Sequence, residues 1–191
     1  MEIEPELARI AREQSVELYN VEVLQTDVLE GKNTISATVK EALVDARRQY
    51  TGRLLLVANL PYSVAAPTMI NLTTAEPAVE RICVTVQKEV AGRMTAAPSG
   101  KQYGPLSIYL AATGEVKILR TLKPTVFWPQ PEVESAIVRY VRSEEKTSRI
   151  RDMTLFKEVV ALFMQHRRKM LKACTRFAAG PLERVHAWRQ V

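Results

Sequence analysis

Four consecutive residues, Asn59-Leu60-Pro61-Tyr62, carry groups that could activate an aromatic amine. The exocyclic amine of adenine is a poor nucleophile because its lone pair is delocalised into the ring. The Asn59 side-chain oxygen and the Leu60 carbonyl could accept its two N–H groups and draw the nitrogen towards tetrahedral geometry. Pro61 favours an extended Leu60 and adds no competing donor. Tyr62 offers a ring on which an extruded base could stack. The alternative is an ordinary strand-ending turn with a half-buried tyrosine.

Two acidic residues, Glu2 and Asp27, stand where an open parallel sheet would bind a ligand. Such sheets bind ligands at the carboxyl ends of their strands. Asp27 follows a predicted strand at Val21–Gln25, and Glu2 precedes the first predicted helix. Together with Asn59, the two acids fit a nucleoside bound across neighbouring strand ends, with Glu2 on ribose hydroxyls and Asp27 on an adenine amino group. Taken singly, each acid is more typical of a helix cap or a turn.

The first 90 residues alternate short apolar runs with helical patterns, which is typical of an α/β fold with a parallel sheet. Leu54–Ala58 is apolar throughout, as expected of a central strand that is covered on both faces. The helix that begins at Glu4-Pro5 is expected to point Leu7, Ile10 and Ala11 inward. The other elements predicted in this part are strands at Val21–Gln25 and Arg81–Val86 and helices at Thr34–Arg48 and Ala66–Thr74.

The pattern changes after residue 90, where a pair of strands and then further helices are expected. Val116–Leu122 and Val133–Val141 are joined by a loop alone, so we predict that they pair antiparallel. The remaining predictions are a loop at Pro98–Gly100, helices at Leu106–Thr113, Leu155–Phe163 and Arg167–Phe177, and another helix that begins at Pro181. The polar stretch 143–152 is typical of a linker. The chain therefore divides into a catalytic unit (1–142), this linker and a basic helical unit (153–191).

Positive charge is concentrated in the last quarter of the chain. Residues 1–138 contain 14 Lys and Arg against 16 Asp and Glu, whereas residues 139–191 contain 13 against 5. On the helix predicted from Arg167, three basic residues share one face and three apolar residues are expected to pack inward: Lys169, Lys172 and Arg176 on the first, and Met170, Ala173 and Phe177 on the second. Such a stripe favours binding of RNA phosphates without reading their sequence. A merely solvated helix face is the alternative.

Composition narrows the class of protein. The contents of 47% hydrophobic and 25% charged residues describe an ordinary globular protein. No apolar run approaches the roughly 18 residues needed to span a bilayer. Two cysteines (Cys83 and Cys174) and two histidines (His166 and His186) lack metal-ligand spacing, so we expect no metal site. Both cysteines are expected to be buried thiols of a reducing compartment. These features predict a cytoplasmic protein that binds neither metal nor membrane, and we also expect it to be a monomer.

Several further stretches accompany the Asn59–Tyr62 motif. They are Gln87–Val90 with Arg93, Pro98–Lys101 with Tyr103–Ser107, Phe127–Pro131 with Val133 and Ser135–Val138, and Gln165 with Arg167–Lys169. In this order the motifs resemble those of the KsgA-type ribosomal RNA adenine-N6 dimethyltransferases, whose adenine-N6 signature is similar to Asn59–Tyr62. The resemblance covers essentially the whole chain.

The resemblance implies a Rossmann-like sheet of the S-adenosylmethionine-dependent methyltransferases with a small α-helical C-terminal domain. It implies transfer of methyl groups from S-adenosylmethionine to two adjacent adenines near the 3′ end of small-subunit (16S-type) ribosomal RNA, with the small ribosomal subunit as partner. The implied catalytic residues are Asn59, Leu60, Pro61, Tyr62 and Phe127, with Tyr62 and Phe127 on either side of the target base. The implied cofactor residues are Glu2, Asp27, Val28 and Asn59. RNA contacts are expected at Lys101, Arg167, Arg168, Lys169, Lys172 and Arg176.

One family feature does not occur in this sequence. The family's glycine-rich cofactor loop precedes the acid that Glu2 matches, and none of the seven glycines here forms a Gly-x-Gly pair. The sequence therefore predicts a sheet without its first strand and glycine loop, a chain cut at both ends, and weak binding of S-adenosylmethionine. Two alternatives remain open: a resistance-type methyltransferase of large-subunit RNA, and a non-catalytic RNA-binding ribosome-assembly factor on the same fold.

Overall fold

The computed structural model describes residues 1–75, 77–180, 182–183 and 185–186 as a mixed α/β fold. Its strands are β1 (Leu29–Glu30), β2 (Thr34–Ile35), β3 (Leu55–Asn59), β4 (Arg81–Gln87), β5 (Gly114–Leu122) and β6 (Ser135–Arg142). Its helices are α1 (Pro5–Gln14), α2 (Ala37–Gln49), α3 (Ala65–Thr74), α4 (Lys88–Met94), α5 (Pro105–Thr113), α6 (Glu144–Thr147), α7 (Met153–Gln165) and α8 (Leu171–Cys174), with 3-10 turns at Pro124–Val126 and Thr175–Phe177. The predicted α/β class is confirmed.

Four strands form the main sheet in the order β3-β4-β6-β5. β3 and β4 run parallel, whereas β6 pairs antiparallel with both β4 and β5, as predicted for the two later strands. Ser135 lies opposite both Gln87 of β4 and Leu122 of β5. The carboxyl ends of β3, β4 and β5 therefore meet at one edge of the sheet, beside the start of β6.

β3 is not the buried central strand that its apolar sequence predicts. It lies at the edge of the sheet, and Leu55 and Val57 are 52% and 82% exposed. The prediction is wrong because a continuous apolar run does not tell whether strands lie on both sides. The predicted strand Val21–Gln25 is also wrong, since it is reduced to one parallel bridge between Gln25 and Glu2. A strand needs a partner along its length, and Glu2 is the only residue that pairs with this segment among those described.

Two predicted helices are present with corrections. In α1, Leu7 and Ile10 are exposed and Ala8 is the one fully buried residue, because no described element covers the predicted inner face. The helix expected from Thr34 begins at Ala37, since Thr34–Ile35 pairs as β2. Ser36 caps α2 by accepting a hydrogen bond from the Val39 N–H at 3.4 Å.

One face of the main sheet is buried against α3 and α5. Ile82, Val84 and Val86 alternate with less buried neighbours along β4, as the two-residue period of a strand requires. They join buried side chains of α3, α5 and β6 in one core, which includes Met69, Leu72, Leu110, Val138 and Tyr140. Buried Tyr140 satisfies its hydroxyl by donating to Thr113 Oγ1 at 3.0 Å. The core holds the strand ends in place from one side.

The helical segment after residue 142 is joined to the sheet through α5. Predicted polar residues 143–152 contain the short helix α6, and α7 forms where it was predicted. Tyr109 packs edge-on against Phe156 with 5.8 Å between ring centroids and donates from its hydroxyl to the Lys157 carbonyl at 3.2 Å. Burial raises the pKa of Tyr109 and lowers the pKa of Lys157 at this contact. The predicted helix from Pro181 falls largely on residues outside those described.

Gly114 provides a stability test of the β5–β6 pairing. A Cβ at Gly114 would clash with the Val141 carbonyl oxygen and would lie 2.5 Å from Tyr140 Cε2, whereas a Cβ at Gly52 would meet nothing within 4 Å. Overpacking typically costs about 1–3 kcal/mol. We expect Gly114→Ala to lower the free energy of unfolding in urea by at least that amount, and the control Gly52→Ala to change it by less than about 0.5 kcal/mol. Equal effects of the two substitutions would show that the packing around Tyr140 is wrong.

Candidate active site

Two hydrogen-bond acceptors lie side by side at the end of β3 without a donor. The Leu60 N–H donates to the Thr85 carbonyl at 3.2 Å, which fixes the peptide plane beyond Asn59. Among the described residues, nothing donates to the Leu60 carbonyl, and the exposed Asn59 side chain makes no hydrogen bond. Pro61 brings no N–H, and its carbonyl accepts from Val64 to close the turn into α3 at 3.1 Å. The end of β3 therefore carries two acceptors without a donor among the described residues, one on the backbone of Leu60 and one on the side chain of Asn59.

Tyr62 is tied to the start of β6. Its hydroxyl lies 3.3 Å from Ser135 Oγ, and its ring is about two-fifths exposed. Next to this contact, the Lys88 N–H donates to the Glu134 carbonyl at 2.9 Å, and Lys88 Nζ pairs with Glu134 Oε2 at 2.6 Å. These contacts join the ends of β3, β4 and β6. They place a partly exposed aromatic ring at the same end of the sheet as the two acceptors.

Phe127 belongs to the segment 123–134, which links β5 to β6 across the same edge. It is half-buried, and its N–H donates to the Pro124 carbonyl at 3.1 Å in a 3-10 turn. The described rings of Tyr62 and Phe127 are not in contact with one another. The pairing of these two rings around a base therefore stays a prediction.

Glu2 and Asp27 lie together at the same end of two adjacent segments. The Glu2 N–H donates to Leu24, and the Thr26 N–H donates to the Glu2 carbonyl, both at 3.0 Å. Glu2 Oε1 accepts from the N–H groups of Ile3 and Glu4 at 2.8 and 3.0 Å. Asp27 Oδ1 accepts from the Leu29 N–H at 3.0 Å. Each carboxylate thus shapes the local backbone with one oxygen, as the turn alternative predicts. Its second oxygen has no donor among the described residues and remains available to a ligand.

The two acids and the Asn59–Tyr62 motif are not on neighbouring strands of one sheet. The Glu2–Gln25 bridge is separate from the four-stranded sheet, in which β3 is an edge strand. The two acids are connected to the part of the fold that carries the Asn59–Tyr62 motif by the β1–β2 hairpin, which follows Asp27. Val28 packs against the core, and Asn71 of α3 donates to the Asn33 carbonyl at 2.7 Å. The structure thus forms two groups, Glu2 with Asp27 and Asn59 with Tyr62 and Ser135. Helix α3 connects the two groups.

The loop that carries Lys101 is anchored at its base. Lys101 itself is exposed, and the Gln102 side chain covers Gly92 so closely that a Cβ there would lie 2.5 Å from Gln102 Oε1. Ser107 Oγ donates to the Arg93 carbonyl at 2.6 Å. Arg167 Nη1 donates to the Tyr103 carbonyl at 3.3 Å. Arg167 therefore attaches the basic helical segment to this loop.

The predicted helix Arg167–Phe177 is wrong. α7 ends at Gln165, and the predicted range 167–177 contains the short α8 and a 3-10 turn instead of one continuous helix. His166 stacks on Phe177 with 4.0 Å between ring centroids, and Lys169 Nζ lies 4.5 Å above the same ring, so the chain turns back on itself. Consequently Lys169, Lys172 and Arg176 do not form one helical stripe. Met170 and Phe177 are exposed rather than packed inward.

The five cations from Arg167 to Arg176 nevertheless all reach solvent. Arg168, Lys172 and Arg176 are exposed, and their side chains have no hydrogen-bond or ion-pair partner among the described residues. Lys169 is exposed above Phe177, and Arg167 holds the Tyr103 carbonyl. Phosphate binding by these five cations stays a prediction. It is now supported by their exposure to solvent and no longer by their spacing on a helix.

Sequence reasoning missed the roles of Ser135, Lys88 and Glu134. All three lie in or beside motif stretches, but their contacts depend on strand register. Gln87 lies opposite Ser135 across the β4–β6 pair, and this pairing joins residues 48 positions apart in the sequence. The sequence signal that points to Ser135 is its place in the motif stretch Ser135–Val138, whereas its burial is known only from the structure.

Two negative findings apply to the described residues alone. No helix among them is long and apolar enough to cross a membrane. No three His, Cys, Asp or Glu side chains among them are grouped to hold a metal ion. Both cysteines are free thiols, with Cys174 buried and Cys83 only half-buried.

Known proteins resemble this chain in sequence and in fold. A family profile described as Ribosomal RNA adenine dimethylase matches residues 1–185. The ribosomal RNA small subunit methyltransferase A of Latilactobacillus sakei is 34% identical over 186 residues, which cover 97% of this chain and 60% of that protein. The chain thus spans about three-fifths of that relative's length.

Two solved structures share the fold. A dimethyladenosine transferase from Plasmodium falciparum matches 94% of this chain and 58% of its own with a TM-score of 0.68 at 21% identity. The 23S rRNA methyltransferase ErmE matches 97% of this chain and 68% of its own with a TM-score of 0.59 at 22% identity. The predicted Rossmann-like methyltransferase fold is confirmed.

Proposed function

Because the chain belongs to the ribosomal RNA adenine dimethylase family, we propose that it transfers methyl groups to the N6 amine of adenines in small-subunit ribosomal RNA. The observation that carries the proposal is the pair of donor-free acceptors on Asn59 and Leu60 at the end of β3. We further propose that two adjacent adenines near the RNA 3′ end are the targets, and that the protein acts on the small ribosomal subunit as a cytoplasmic monomer.

The two acceptors match what adenine N6 requires. The amine has two N–H groups and a lone pair delocalised into the ring, so it must lose conjugation before it attacks a methyl group. Asn59 Oδ1 and the Leu60 carbonyl would each accept one N–H and stabilise the tetrahedral nitrogen as positive charge develops on it. Tyr62, held by Ser135, would stack on the extruded base, and Phe127 would cover its other face. No strong general base is needed, because the methylated ammonium loses its proton readily to water.

The residues present fit the nucleoside part of S-adenosylmethionine. When bound, this cofactor supplies an electrophilic methyl group. Glu2 and Asp27 each keep one carboxylate oxygen free for ribose hydroxyls and for the adenine amino group, respectively. Val28 and Asn59 would complete the same side of the site. No Gly-x-Gly turn occurs in the sequence to hold the methionine end, so we expect the chain to bind the cofactor weakly.

The alternatives are less well supported. The fold matches both a dimethyladenosine transferase and a 23S rRNA methyltransferase, so it does not discriminate between small-subunit and large-subunit substrates. Relatives that are 33–39% identical to this chain are named ribosomal RNA small subunit methyltransferase A. A non-catalytic assembly factor would have no use for free acceptors beside an exposed aromatic ring, and this favours an enzyme.

We assign RNA docking to exposed cations in two places, the loop that carries Lys101 and the segment after α7. Lys101 lies on the loop, and Arg168, Lys172 and Arg176 lie beyond α7 without partners among the described residues. Arg167 connects the two groups through the Tyr103 carbonyl. Lysine and arginine contacts to phosphate orient a protein on RNA without reading its sequence. The cations would therefore position the strand-end site over its target.

Asn59→Ala tests the proposed chemistry. Removal of one preorganised acceptor typically costs on the order of 10² to 10³ in rate. In single-turnover transfer from S-adenosylmethionine to unmethylated small ribosomal subunits, with cofactor in large excess to offset weak binding, we expect Asn59→Ala to be slower by that factor. The control Asn20→Ala removes an exposed asparagine outside the site and should leave the rate unchanged. A near-normal rate for Asn59→Ala would reject the polarisation of N6.

The docking role predicts a change in salt dependence. Each phosphate contact contributes about 0.7 to 0.9 to the slope of log affinity against log salt. Replacement of Arg168, Lys172 and Arg176 by Gln should therefore flatten that slope for small-subunit binding by about two to three units. A control variant that replaces Lys32, Lys40 and Arg53 by Gln loses the same charge from other exposed positions. Equal slopes for the two variants would mean that the segment after α7 is not the docking surface.

A further inference from the structure

Trp128 is an exposed aromatic side chain beside the candidate active site. It is 96% exposed, although its neighbour Phe127 is half-buried. A tryptophan buries more apolar surface than most side chains when it finds a partner, and its ring presents a flat π-face. No described side chain stacks on this ring. The indole ring of Trp128, the largest aromatic side chain, is therefore open to solvent and available for stacking.

The position of Trp128 relates it to the strand-end site. The segment 123–134 leaves β5 after Leu122 and enters β6 at Ser135, and these two residues are opposite one another. Ser135 also lies opposite Gln87 and contacts the Tyr62 hydroxyl. Both ends of the segment therefore lie at the edge of the sheet that carries the free acceptors.

The segment that presents Trp128 is held at both ends. On one side, the N–H groups of Val126 and Phe127 donate to the carbonyls of Lys123 and Pro124 at 3.2 and 3.1 Å. On the other side, the Lys88 N–H donates to the Glu134 carbonyl, and the Lys88 ammonium pairs with the Glu134 carboxylate. Less conformational freedom is lost when an already fixed backbone presents a ring to a ligand.

We propose that Trp128 stacks on the nucleobase that neighbours the target adenine in single-stranded RNA. This inference rests on the proposed function, because it takes the Asn59–Tyr62 site to hold the target. Base stacking on an aromatic ring is tolerant of sequence, so Trp128 would grip the adjacent nucleotide whatever its identity. Exposed Arg120 and Lys123 precede the ring without ion pairs among the described residues and could contact the phosphates on either side; exposed Glu132 follows it. The two cations at the end of β5 complement the phosphates of RNA, and they favour RNA as the partner over a protein surface with few acidic residues.

The first test uses the fluorescence of Trp128. The chain has two tryptophans, so Trp188→Phe leaves Trp128 as the only indole. This variant is titrated with a single-stranded RNA oligonucleotide that contains two adjacent adenines. We expect saturable quenching of Trp128, and a markedly smaller effect when the nucleotide beside the target adenine is made abasic.

The second test measures affinity for the same RNA. Loss of one stacked base by alanine substitution corresponds to roughly 5- to 150-fold weaker binding. We expect Trp128→Ala to bind the intact oligonucleotide weaker by a factor in this range and Trp128→Phe to retain most of the affinity. The abasic oligonucleotide should bind the original chain and Trp128→Ala equally. Because Trp128 is almost fully exposed, its substitution should leave the fold intact. Tyr19→Ala, which removes a fully exposed ring elsewhere, should bind like the original chain.

The outcomes separate this inference from the function on which it rests. If the original chain binds RNA but Trp128→Ala binds equally well and Trp128 is not quenched, the stacking role is wrong and the proposed function stands. If Trp128 fluorescence responds to small-subunit proteins and not to RNA, Trp128 belongs to a protein-docking surface and the inference is overturned. If the original chain does not bind RNA, the inference fails, while methyl transfer by Asn59→Ala still decides the proposed function.

Discussion

The pairing of β4 with β3 on one side and β6 on the other positions the candidate active site. Its register sets Asn59 opposite Thr85 and Ser135 opposite Gln87. The Thr85 carbonyl then holds the Leu60 N–H, and Ser135 reaches the Tyr62 hydroxyl. A shift of one residue would turn these side chains to the opposite face of the sheet. The buried face of β4, packed on α3 and α5, opposes such a shift.

Within this frame, the local chemistry of Asn59–Tyr62 leaves two acceptors unused. A backbone carbonyl at a strand end normally finds a donor in the following turn. Here Pro61 cannot donate, and the turn into α3 is closed by the Pro61 carbonyl instead. The Leu60 carbonyl, on a buried residue, and the exposed Asn59 side chain therefore have no donor among the described residues. A base amine at this strand end can donate to both acceptors without breaking a hydrogen bond among the described residues.

Local patterns predicted much of this arrangement, and long-range packing decided the rest. The antiparallel pair β5–β6, α7 and the strand-to-motif junction at Asn59 follow from periodicity and from proline, which act over a few residues. Whether β3 is central or at an edge depends on neighbours that its own sequence does not contain. The break after Gln165 depends on the contact of His166 with Phe177, eleven positions apart, which helical spacing alone does not reveal. The contact of Tyr62 with Ser135 likewise requires the register of the sheet.

The proposed chemistry depends on the Asn59 side chain and the Leu60 carbonyl, which accept the two N–H groups of adenine N6. Nuclear magnetic resonance of the ¹³C- and ¹⁵N-labelled chain tests it directly, through the Leu60 carbonyl carbon and the Asn59 side-chain amide during titration with adenosine. N6,N6-dimethyladenosine, which lacks both N–H groups, is the matched ligand. We predict that adenosine shifts both resonances and that the dimethylated nucleoside shifts neither, while both ligands move the Tyr62 ring signals. Equal shifts with the two nucleosides, or movement of Tyr62 alone with adenosine, would contradict it.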